Sequence, residues 1–387
     1  MATFPASGDN GPAKNSYTVI GFWRWVFELA ISDLDAAGYA SRRVFCKQKE
    51  ISESVMRLDR PSTANFLFSD GNRLVLGDSL VLEGLEDKDV FVTTMSKYSS
   101  DKIPPSTLLP YDMHLSDEKK KAALVLPSTP AVLKQPLGCC GHGVFFVSTV
   151  DEVLSKVKGN YARAQAEKGF MELIVRTKKR IPEWVLQSEI KGLPILSNRK
   201  FHLRTYVLIR EHPTEGPVSL MYIRNHEVRV ASEAMAPTPV SGDDLARVRS
   251  QHITNGAGGS DTMRMLLDDI PEIRNLRGKL EGFVSELFGK DLKEEFASRV
   301  GRKTDHPLAD PWVIERFVVC GLDVMVDEHH DFYVLEVNRN PGVPPLASIS
   351  DQGRFKNHLV QFAKDLYGQL QLEVPQQQDG RWSCLVF

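Results

Sequence analysis

Residues 313–342 read VIERFVVCGLDVMVDEHHDFYVLEVNRNPG, and their pattern predicts a β-hairpin. Two apolar runs rich in β-branched residues flank an acidic turn at 327–331, as in paired strands. Side chains two apart on a strand share a face, so Glu336 and Asn338 point one way and the apolar residues beside them the other. Asp323 lies on the partner strand. Two carboxylates and an amide oxygen on one surface suit Mg²⁺, although an ordinary hairpin with outward polar residues has the same pattern.

A Mg²⁺ site that holds phosphates also needs cations, and residues 200–209, KFHLRTYVLI, contain them. In an extended strand, Lys200, His202 and Arg204 share one face at a period of two. Burying cations is costly unless anions meet them, and polyphosphate is one such anion. A solvent-facing row of polar side chains is the alternative interpretation.

A glycine-rich segment at 131–147, AVLKQPLGCCGHGVFFV, offers a further phosphate contact. An apolar strand ends in Lys134, glycines that include Gly141 and Gly143 follow, and a second apolar strand begins at Val144. Glycines let backbone amides approach phosphate oxygens, and the lysine supplies a point charge. Because a strand follows the glycines, neither a P-loop nor a Rossmann turn fits, since both lead into a helix. A plain hairpin turn is the alternative.

Shorter patterns predict the remaining elements. The sequence TVDE at 149–152 resembles a capping box that starts a helix through Val157. Alternation over 184–190 predicts a strand, and such a strand between two subdomains can present its backbone to an adenine ring. The other predicted elements are an early helix at 23–34, a hairpin at 65–76, a strand at 218–223 that leads to Arg224, a polar loop at 251–259, and amphipathic helices at 272–288 and 355–370.

The order of these segments predicts several structural units. Residues 1–16 are polar and rich in Gly, Pro and Asn, which is typical of disorder. Three prolines at 102–110 indicate a linker between domains. The expected units are an N-terminal domain at 17–110, a unit with the glycine hairpin at 111–190, a unit with the remaining motifs at 191–370, and a flexible tail at 371–387.

Composition restricts the class of protein. The 387 residues are 42% hydrophobic and 25% charged, and their net charge of -2 predicts no nucleic-acid partner. Residues 161–230 carry 13 Lys/Arg and 7 Asp/Glu, which suits an anionic ligand, an acidic peptide, or only a solvated basic face. Five cysteines without C-x-x-C spacing, a polar N-terminus and no uncharged apolar run of about 18 residues predict a soluble cytoplasmic protein.

The final four residues, Cys384-Leu385-Val386-Phe387, fit the C-a-a-X pattern of prenylation. A terminal Phe favours a geranylgeranyl group on Cys384. The upstream segment lacks a polybasic run, and a single lipid anchors a protein only weakly. A weak membrane anchor at Cys384 is therefore one hypothesis for this terminus, and a chance match is the other.

Six motifs follow the same order as in tubulin tyrosine ligase-like enzymes of the ATP-grasp superfamily, which this chain resembles over residues 115–345. They are Lys134 with the glycine hairpin, the strand at Gln187 to Ile190, KFHLR at 200–204, YIR at 222–224, HITN at 252–255, and Asp323 with Glu336-Val337-Asn338. The resemblance implies an α+β ATP-grasp fold that holds ATP between two subdomains. It also implies an amino-acid ligase activity that is usually directed at tubulin tails.

The resemblance further implies roles for single residues. It implies that ATP phosphates bind to Lys134, Lys200 and the loop of Gly141 and Gly143, and that adenine binds to Gln187 and Ile190. Charge during catalysis would be stabilised by Lys200, Arg204 and Arg224, and nucleotide or substrate would contact His252, Thr254 and Asn255. Mg²⁺ would be bound by Asp323, Glu336 and Asn338. Two residues depart from the family pattern. His202 occupies a nucleotide-site position that is usually Asp, and Ser188 replaces a common Lys.

The sequence therefore predicts an ATP- and Mg²⁺-dependent ligase that joins a free amino acid to a protein carboxylate through an acyl phosphate. Phosphoryl transfer depends mainly on positioning and charge neutralisation, so no protein nucleophile is required. The basic middle segment favours an acidic tail, with tubulin as acceptor in tyrosination, glutamylation or glycylation, and this predicts association with the cytoskeleton. The alternatives are an ATP-grasp carboxylate–amine ligase with a non-tubulin substrate, and a nucleotide-binding regulator without catalysis.

Overall fold

The structure is a computed structural model with two antiparallel-rich sheets and surrounding helices. It describes residues 16–20, 40–44, 65–69, 74–76, 82, 84–136, 143–166, 180–212, 216–236, 250–252, 263–301, 314–339, 341, 354–371 and 381–385. The predicted helix at 23–34, the N-terminal segment 1–15, Gly141 and most of the 251–259 loop lie outside these residues.

Strands and helices alternate irregularly along the described chain. The strands are β1 Ser16–Ile20, β2 Ala40–Val44, β3 Asn65–Ser69, β4 Leu74–Leu76, β5 Ser106–Leu109, β6 Ala131–Lys134, β7 Val144–Val147, β8 Trp184–Ser188, β9 Phe201–His212, β10 Gly216–Tyr222, β11 Glu227–Val230, β12 Met263–Leu266, β13 Ile314–Val326, β14 Phe332–Arg339 and β15 Trp382–Leu385. The α-helices are α1 Lys88–Tyr98, α2 Glu118–Ala122, α3 Val150–Ala166, α4 Arg277–Glu286, α5 Lys293–Gly301 and α6 Arg354–Gln371.

The large sheet is organised around β9 and β13, which pair antiparallel. Its main path runs β12-β11-β9-β13-β4-β3-β1-β2, with β14 beside β13 and β10 beside the far half of β9. The register places Arg204 of β9 opposite Asp323 of β13 and also opposite Glu227 of β11. Asp323 in turn lies opposite Glu336 of β14. Four neighbouring strands thus carry a row of charged side chains on one face.

The two faces of β9 differ in chemistry. Phe201, Leu203 and Val207 belong to the main apolar core together with residues of α4 and α5, so this face is covered by helices. Burial of such side chains stabilises a fold by about 1.5–3 kcal/mol each. On the opposite face, Tyr206 stacks on Phe362 of α6 at a centroid distance of 4.6 Å. The charged row lies on this second face.

The small sheet has the order β5-β8-β6-β7, and all of its strands pair antiparallel. Helix α3 packs beside it, since Val153 and Val157 share a core with Leu133 and Trp184. The predicted capping box starts this helix: Glu152 N donates to Thr149 Oγ1 and Ser148 N donates to Glu152 Oε2. The helix is longer than predicted and continues to Ala166.

The predicted α+β class is confirmed, as are the hairpin of β13 and β14, the hairpin of β3 and β4, and the helix α6. Two segment predictions are wrong. The linker at 102–110 contains β5, because its apolar residues complete the edge of the small sheet. The tail at 371–387 contains β15, which pairs with β10 and buries Trp382 and Leu385. Among the described residues, no helix is long and apolar enough to cross a membrane.

Strict alternation along the second hairpin strand is also wrong at one residue. The pairing of β13 with β14 passes from Asp323–Glu336 directly to Val324–Val334, so Leu335 is the extra residue of a β-bulge. As a result Val334, and not Leu335, joins Val337 in the core. Bulges leave a residue outside the ladder and often occur beside functional sites.

Candidate functional site

The centre of the charged row is a fork between Arg204 and Asp323. Arg204 Nε donates to Asp323 Oδ1 at 2.6 Å, and Arg204 Nη2 donates to Asp323 Oδ2 at 2.6 Å. Both side chains are buried. Burial alone would raise the pKa of Asp323, but the charges of Arg204 and His202 hold that pKa well below its usual value. Two parallel charge-assisted bonds make this pair rigid.

The three residues predicted to bind Mg²⁺ come together on the paired strands β13 and β14. Asn338 Nδ2 donates to Asp323 Oδ2 at 3.1 Å and to Glu336 Oε1 at 3.0 Å. The amide nitrogen therefore faces the two carboxylates, and ligation by the amide oxygen requires a half-turn of the Asn338 side chain. Within the described ranges, no three His, Cys, Asp or Glu side chains are grouped as a metal site. The oxygen set thus consists of two carboxylates and one amide.

His202 lies beside this fork, where the resembled family usually has an acid. Its imidazole Nε2 is 3.6 Å from Asp323 Oδ1, and the side chain is only 2% exposed. A protonated His202 forms an ion pair with Asp323, and a neutral one does not. An acidic residue at this position would add a carboxylate to the oxygen ligands, whereas His202 adds none in either protonation state.

Lys200 forms a second polar cluster at the start of β9. Lys200 Nζ donates to Glu189 Oε1 at 2.9 Å, and His252 Nδ1 lies 3.4 Å from the same oxygen. Burial raises the pKa of Glu189, but His252 and Lys200 outweigh it and lower that pKa to about 2. The ring of Phe146 of β7 contacts both partners: its centroid is 4.7 Å from that of His252, with the two rings tilted, and 5.7 Å from Lys200 Nζ. This cluster therefore joins the small sheet to the large one.

Lys134 makes a second connection between the sheets. Its Nζ donates to the carbonyl oxygen of Leu335 at 3.4 Å, which is the residue that the bulge takes out of the ladder. Burial lowers the pKa of Lys134 to about 8, although the nearby charge of Glu336 opposes this effect. Gly143 follows the glycine loop with φ of 74°, a left-handed conformation that favours glycine, and its carbonyl accepts from Gln135 N at 2.7 Å.

The two residues predicted to bind adenine, Gln187 and Ile190, lie in or shortly after strand β8. Gln187 is buried in the small sheet and its Nε2 donates to Ser106 Oγ of β5 at 2.9 Å, so the amide is engaged within the sheet. Ile190 follows β8 and is partly buried. Ser188 donates to Pro127 O at 3.3 Å. Thr254 and Asn255 lie outside the described residues, as does Gly141.

Arg224 lies on the α6 side of the site. Its Nε is 3.0 Å from Asp365 Oδ2, and the Arg224 side chain is 38% exposed. Asp365 also accepts from Tyr222 Oη at 3.0 Å and from Gln361 Nε2 at 2.9 Å. The described ion pair of Arg224 is therefore with α6, while His202 and Arg204 lie on β9 and Lys200 directly precedes that strand.

The sequence patterns did not identify a group of charged residues on β11 and β12. Glu227 accepts from Tyr206 Oη at 2.7 Å and from Arg229 Nε at 2.8 Å, and Arg264 Nη1 lies 3.4 Å from it. Burial raises the pKa of Glu227, but Arg229, Arg264 and Arg204 together lower it to about 2. The period of two in EVRV at 227–230 was the available signal, since it places Glu227 and Arg229 on one face.

Comparison with known proteins identifies distant relatives of one kind. The chain is 21% identical to Tubulin glycylase 3C of Tetrahymena thermophila over 193 residues, 22% identical to Tubulin glycylase 3E over 217 residues, and 23% identical to Tubulin glycylase 3D over 186 residues. These matches cover 45%, 54% and 46% of this chain but only 16%, 14% and 17% of the relatives. No protein-family model matches the chain. The similarity agrees with the resemblance to tubulin tyrosine ligase-like enzymes and remains distant.

Proposed function

We propose that this protein is a ligase of the tubulin tyrosine ligase-like type, with an ATP-grasp architecture, that joins an amino acid to an acidic protein tail. The observation that carries the proposal is the arrangement around the charged row. Lys134 of the small sheet reaches the strand that bears Glu336, and Lys200 directly precedes β9, the strand of Arg204. Cations from two sheets thus flank a set of oxygen ligands, which is an arrangement suited to a metal–polyphosphate complex.

The side chains of the site are of the types that bind ATP and Mg²⁺, but Arg204 competes with the metal for Asp323. Asp323, Glu336 and Asn338 supply the hard oxygen ligands that Mg²⁺ prefers. Arg204 donates to both oxygens of Asp323, so a cation has to share these oxygens with the guanidinium group or displace one of its arms. Bound ATP would supply a γ-phosphoryl group that converts a carboxylate into an acyl phosphate. Lys134 and Lys200 would hold phosphate oxygens, and Arg204 would stabilise charge that develops at the reacting carboxylate.

Tubulin is the proposed acceptor, because the relatives are named tubulin glycylases and because residues 161–230 are basic. We also propose that the protein works in the cytoplasm, where this acceptor occurs. The test is incubation of the full chain with ATP, Mg²⁺, tubulin and radiolabelled Gly, Glu or Tyr in separate reactions. We expect transfer of one label to tubulin. Absence of transfer with all three, together with unchanged ATP, would refute the tubulin ligase.

A second candidate function is a nucleotide-binding regulator without catalysis, and two observations favour it. Both oxygens of Asp323 accept hydrogen bonds from Arg204, and His202 adds no carboxylate to the metal ligands. For this candidate we expect thermal stabilisation by a non-hydrolysable ATP analogue, with no ADP release in the presence of any of the three amino acids and tubulin. ADP release that depends on both substrates would exclude it.

The proposed prenylation site, Cys384, lies in strand β15. The backbone of Cys384 pairs with that of Leu220 in the ladder between β15 and β10, and Leu385 is buried in the core. Prenylation would therefore act on a strand whose backbone is paired in the large sheet. An intact mass measurement on protein from its native cell decides whether the lipid is present.

A further inference from the structure

An ion pair between Glu189 and Lys200 connects the two sheets at the site. Glu189 directly follows β8 of the small sheet, and its backbone N donates to Ser128 Oγ at 2.9 Å. Lys200 directly precedes β9 of the large sheet, and its carbonyl oxygen accepts from Ala231 N at 2.8 Å. Both backbones are thus held by hydrogen bonds, and the two side chains meet with Lys200 Nζ 2.9 Å from Glu189 Oε1.

Lys200 needs an anion because its side chain is almost fully buried. The side chain of Lys200 is 4% exposed, whereas that of Glu189 is 17% exposed. A buried cation is costly unless an anion meets it. Burial raises the pKa of Glu189, but His252 and Lys200 lower it to about 2, so the carboxylate is ionised at neutral pH. Glu189 therefore supplies the negative charge that Lys200 requires.

A phosphate group bound to Lys200 would compete with this carboxylate. Lys200 begins the KFHLR motif, and its role as a ligand of ATP phosphates rests on the proposed function. Two anions beside one ammonium group repel each other, and the repulsion is strong where little water separates them. A phosphate group therefore has to move Glu189 away from Lys200 or bind more weakly.

Glu189 has a second partner to which it can turn. His252 Nδ1 lies 3.4 Å from the same Oε1 atom, which is longer than a well-formed hydrogen bond. A histidine with a proton on Nδ1 can donate to a carboxylate. The ring of Phe146 contacts both His252 and Lys200, so the two partners of Glu189 lie close together. A small rotation of the Glu189 side chain toward His252 would free Lys200 and keep the carboxylate paired.

We propose that Glu189 is an internal competitor for phosphate at Lys200: its carboxylate neutralises the lysine, and a phosphate group that replaces it there moves it toward His252. Nucleotide binding is then weaker than the cations of the site would otherwise allow. A purely structural ion pair between the sheets is the alternative. That alternative predicts that loss of the Glu189 charge lowers stability and leaves the affinity for nucleotide unchanged or lower.

The test measures phosphate binding with and without the Glu189 charge. Calorimetry on the full chain would titrate a non-hydrolysable ATP analogue with Mg²⁺ and, separately, inorganic tripolyphosphate. We expect Glu189→Gln to bind both ligands roughly 10- to 100-fold more tightly, because a charge-assisted competitor is removed. Glu189→Asp keeps the charge on a shorter side chain and should give a smaller gain. This second variant keeps the test valid if Glu189→Gln does not fold, and an unchanged affinity in it would then overturn the proposal.

Two control variants separate this competition from a general change of charge. Glu183 precedes the other end of β8, roughly 20 Å from Glu189 along the strand and beyond the screening length of about 10 Å at 0.1 M salt. Glu183→Gln should therefore bind both ligands as the unaltered protein does. Lys200→Gln removes the partner of Glu189, so Glu189→Gln should give no gain in that background if the carboxylate acts through Lys200.

Each outcome has a defined meaning. Equal or weaker binding by Glu189→Gln would overturn the competitor role, as would the same gain in Glu183→Gln or a gain that persists with Lys200→Gln. Tighter binding of tripolyphosphate by Glu189→Gln, with no binding of the ATP analogue by any variant, would support the competitor role and refute the proposed ligase. If neither ligand binds any variant, both proposals are refuted.

Discussion

Replacement of Glu227 by Gln tests the buried charge network directly. The change keeps the shape of the side chain and removes the carboxylate that both Arg229 and Arg264 contact. The pKa of Glu227 is lowered from 4.5 to about 2 in the fold, against the effect of burial, by Arg229, Arg264 and Arg204. Such a difference corresponds to roughly 3 kcal/mol of stability at neutral pH. We therefore expect Glu227→Gln to lower the free energy of unfolding by about that amount.

The pH dependence has a defined sign. A carboxyl group whose pKa is depressed in the folded protein contributes stability above its unfolded pKa and loses it as the pH falls through the folded pKa. The contribution of Glu227 should thus be complete above about pH 5 and should vanish toward pH 2. Urea unfolding of both proteins between pH 7 and pH 3 would measure the difference, which should shrink as the pH falls.

An exposed acid provides the control for this experiment. Glu328 lies in the exposed turn of the hairpin, and Glu328→Gln should change the free energy of unfolding by less than about 0.5 kcal/mol. The reasoning about Glu227 would be refuted if Glu227→Gln cost less than about 1 kcal/mol at pH 7. A difference that stays constant from pH 7 to pH 3 would refute the proposed ionic cause.

Three further predictions concern the charged row. Glu336→Gln should abolish label transfer to tubulin while the melting temperature stays within a few degrees, and unchanged transfer would exclude a metal role. Gly321→Ala adds a Cβ 2.8 Å from Pro341 and 3.3 Å from Arg204 Cδ, so urea unfolding should show a loss of about 1–3 kcal/mol; full stability would contradict this close packing. His202→Asp adds a carboxylate beside the oxygen ligands, so calorimetry with an ATP analogue should show tighter Mg²⁺ binding, and unchanged affinity would mean that this position does not face the metal.

The sequence predicts single elements of this fold better than it predicts their neighbours. The period of two correctly places His202 and Arg204 on one face of β9, because alternation is a local property of a strand. Which strands lie beside β9 depends on long-range pairing that no local pattern contains. The role of Glu227 was therefore missed, although it lies opposite Arg204 in the sheet.

Two other differences have local causes that the sequence conceals. The bulge at Leu335 interrupts the alternation of β14, and a run of apolar residues gives no indication of which one leaves the ladder. Strand β15 follows a polar segment with three consecutive Gln, which suggests a tail. Its pairing with β10 and the burial of Trp382 instead hold it in the large sheet. In both cases tertiary packing outweighs local preference.

The order of charges across the sheet supports a division of labour within the site. Carboxylates occupy β13 and β14, Arg204 stands in the middle, and cations prevail on β11 and β12. A cation is therefore favoured at one end of the row and an anion at the other. Arg204 touches Asp323 and lies opposite Glu227, so a ligand that draws it toward either end alters the charge balance at the other. If Mg²⁺ releases one arm of Arg204, that arm becomes available to an anionic substrate, and the binding of metal and carboxylate should be cooperative.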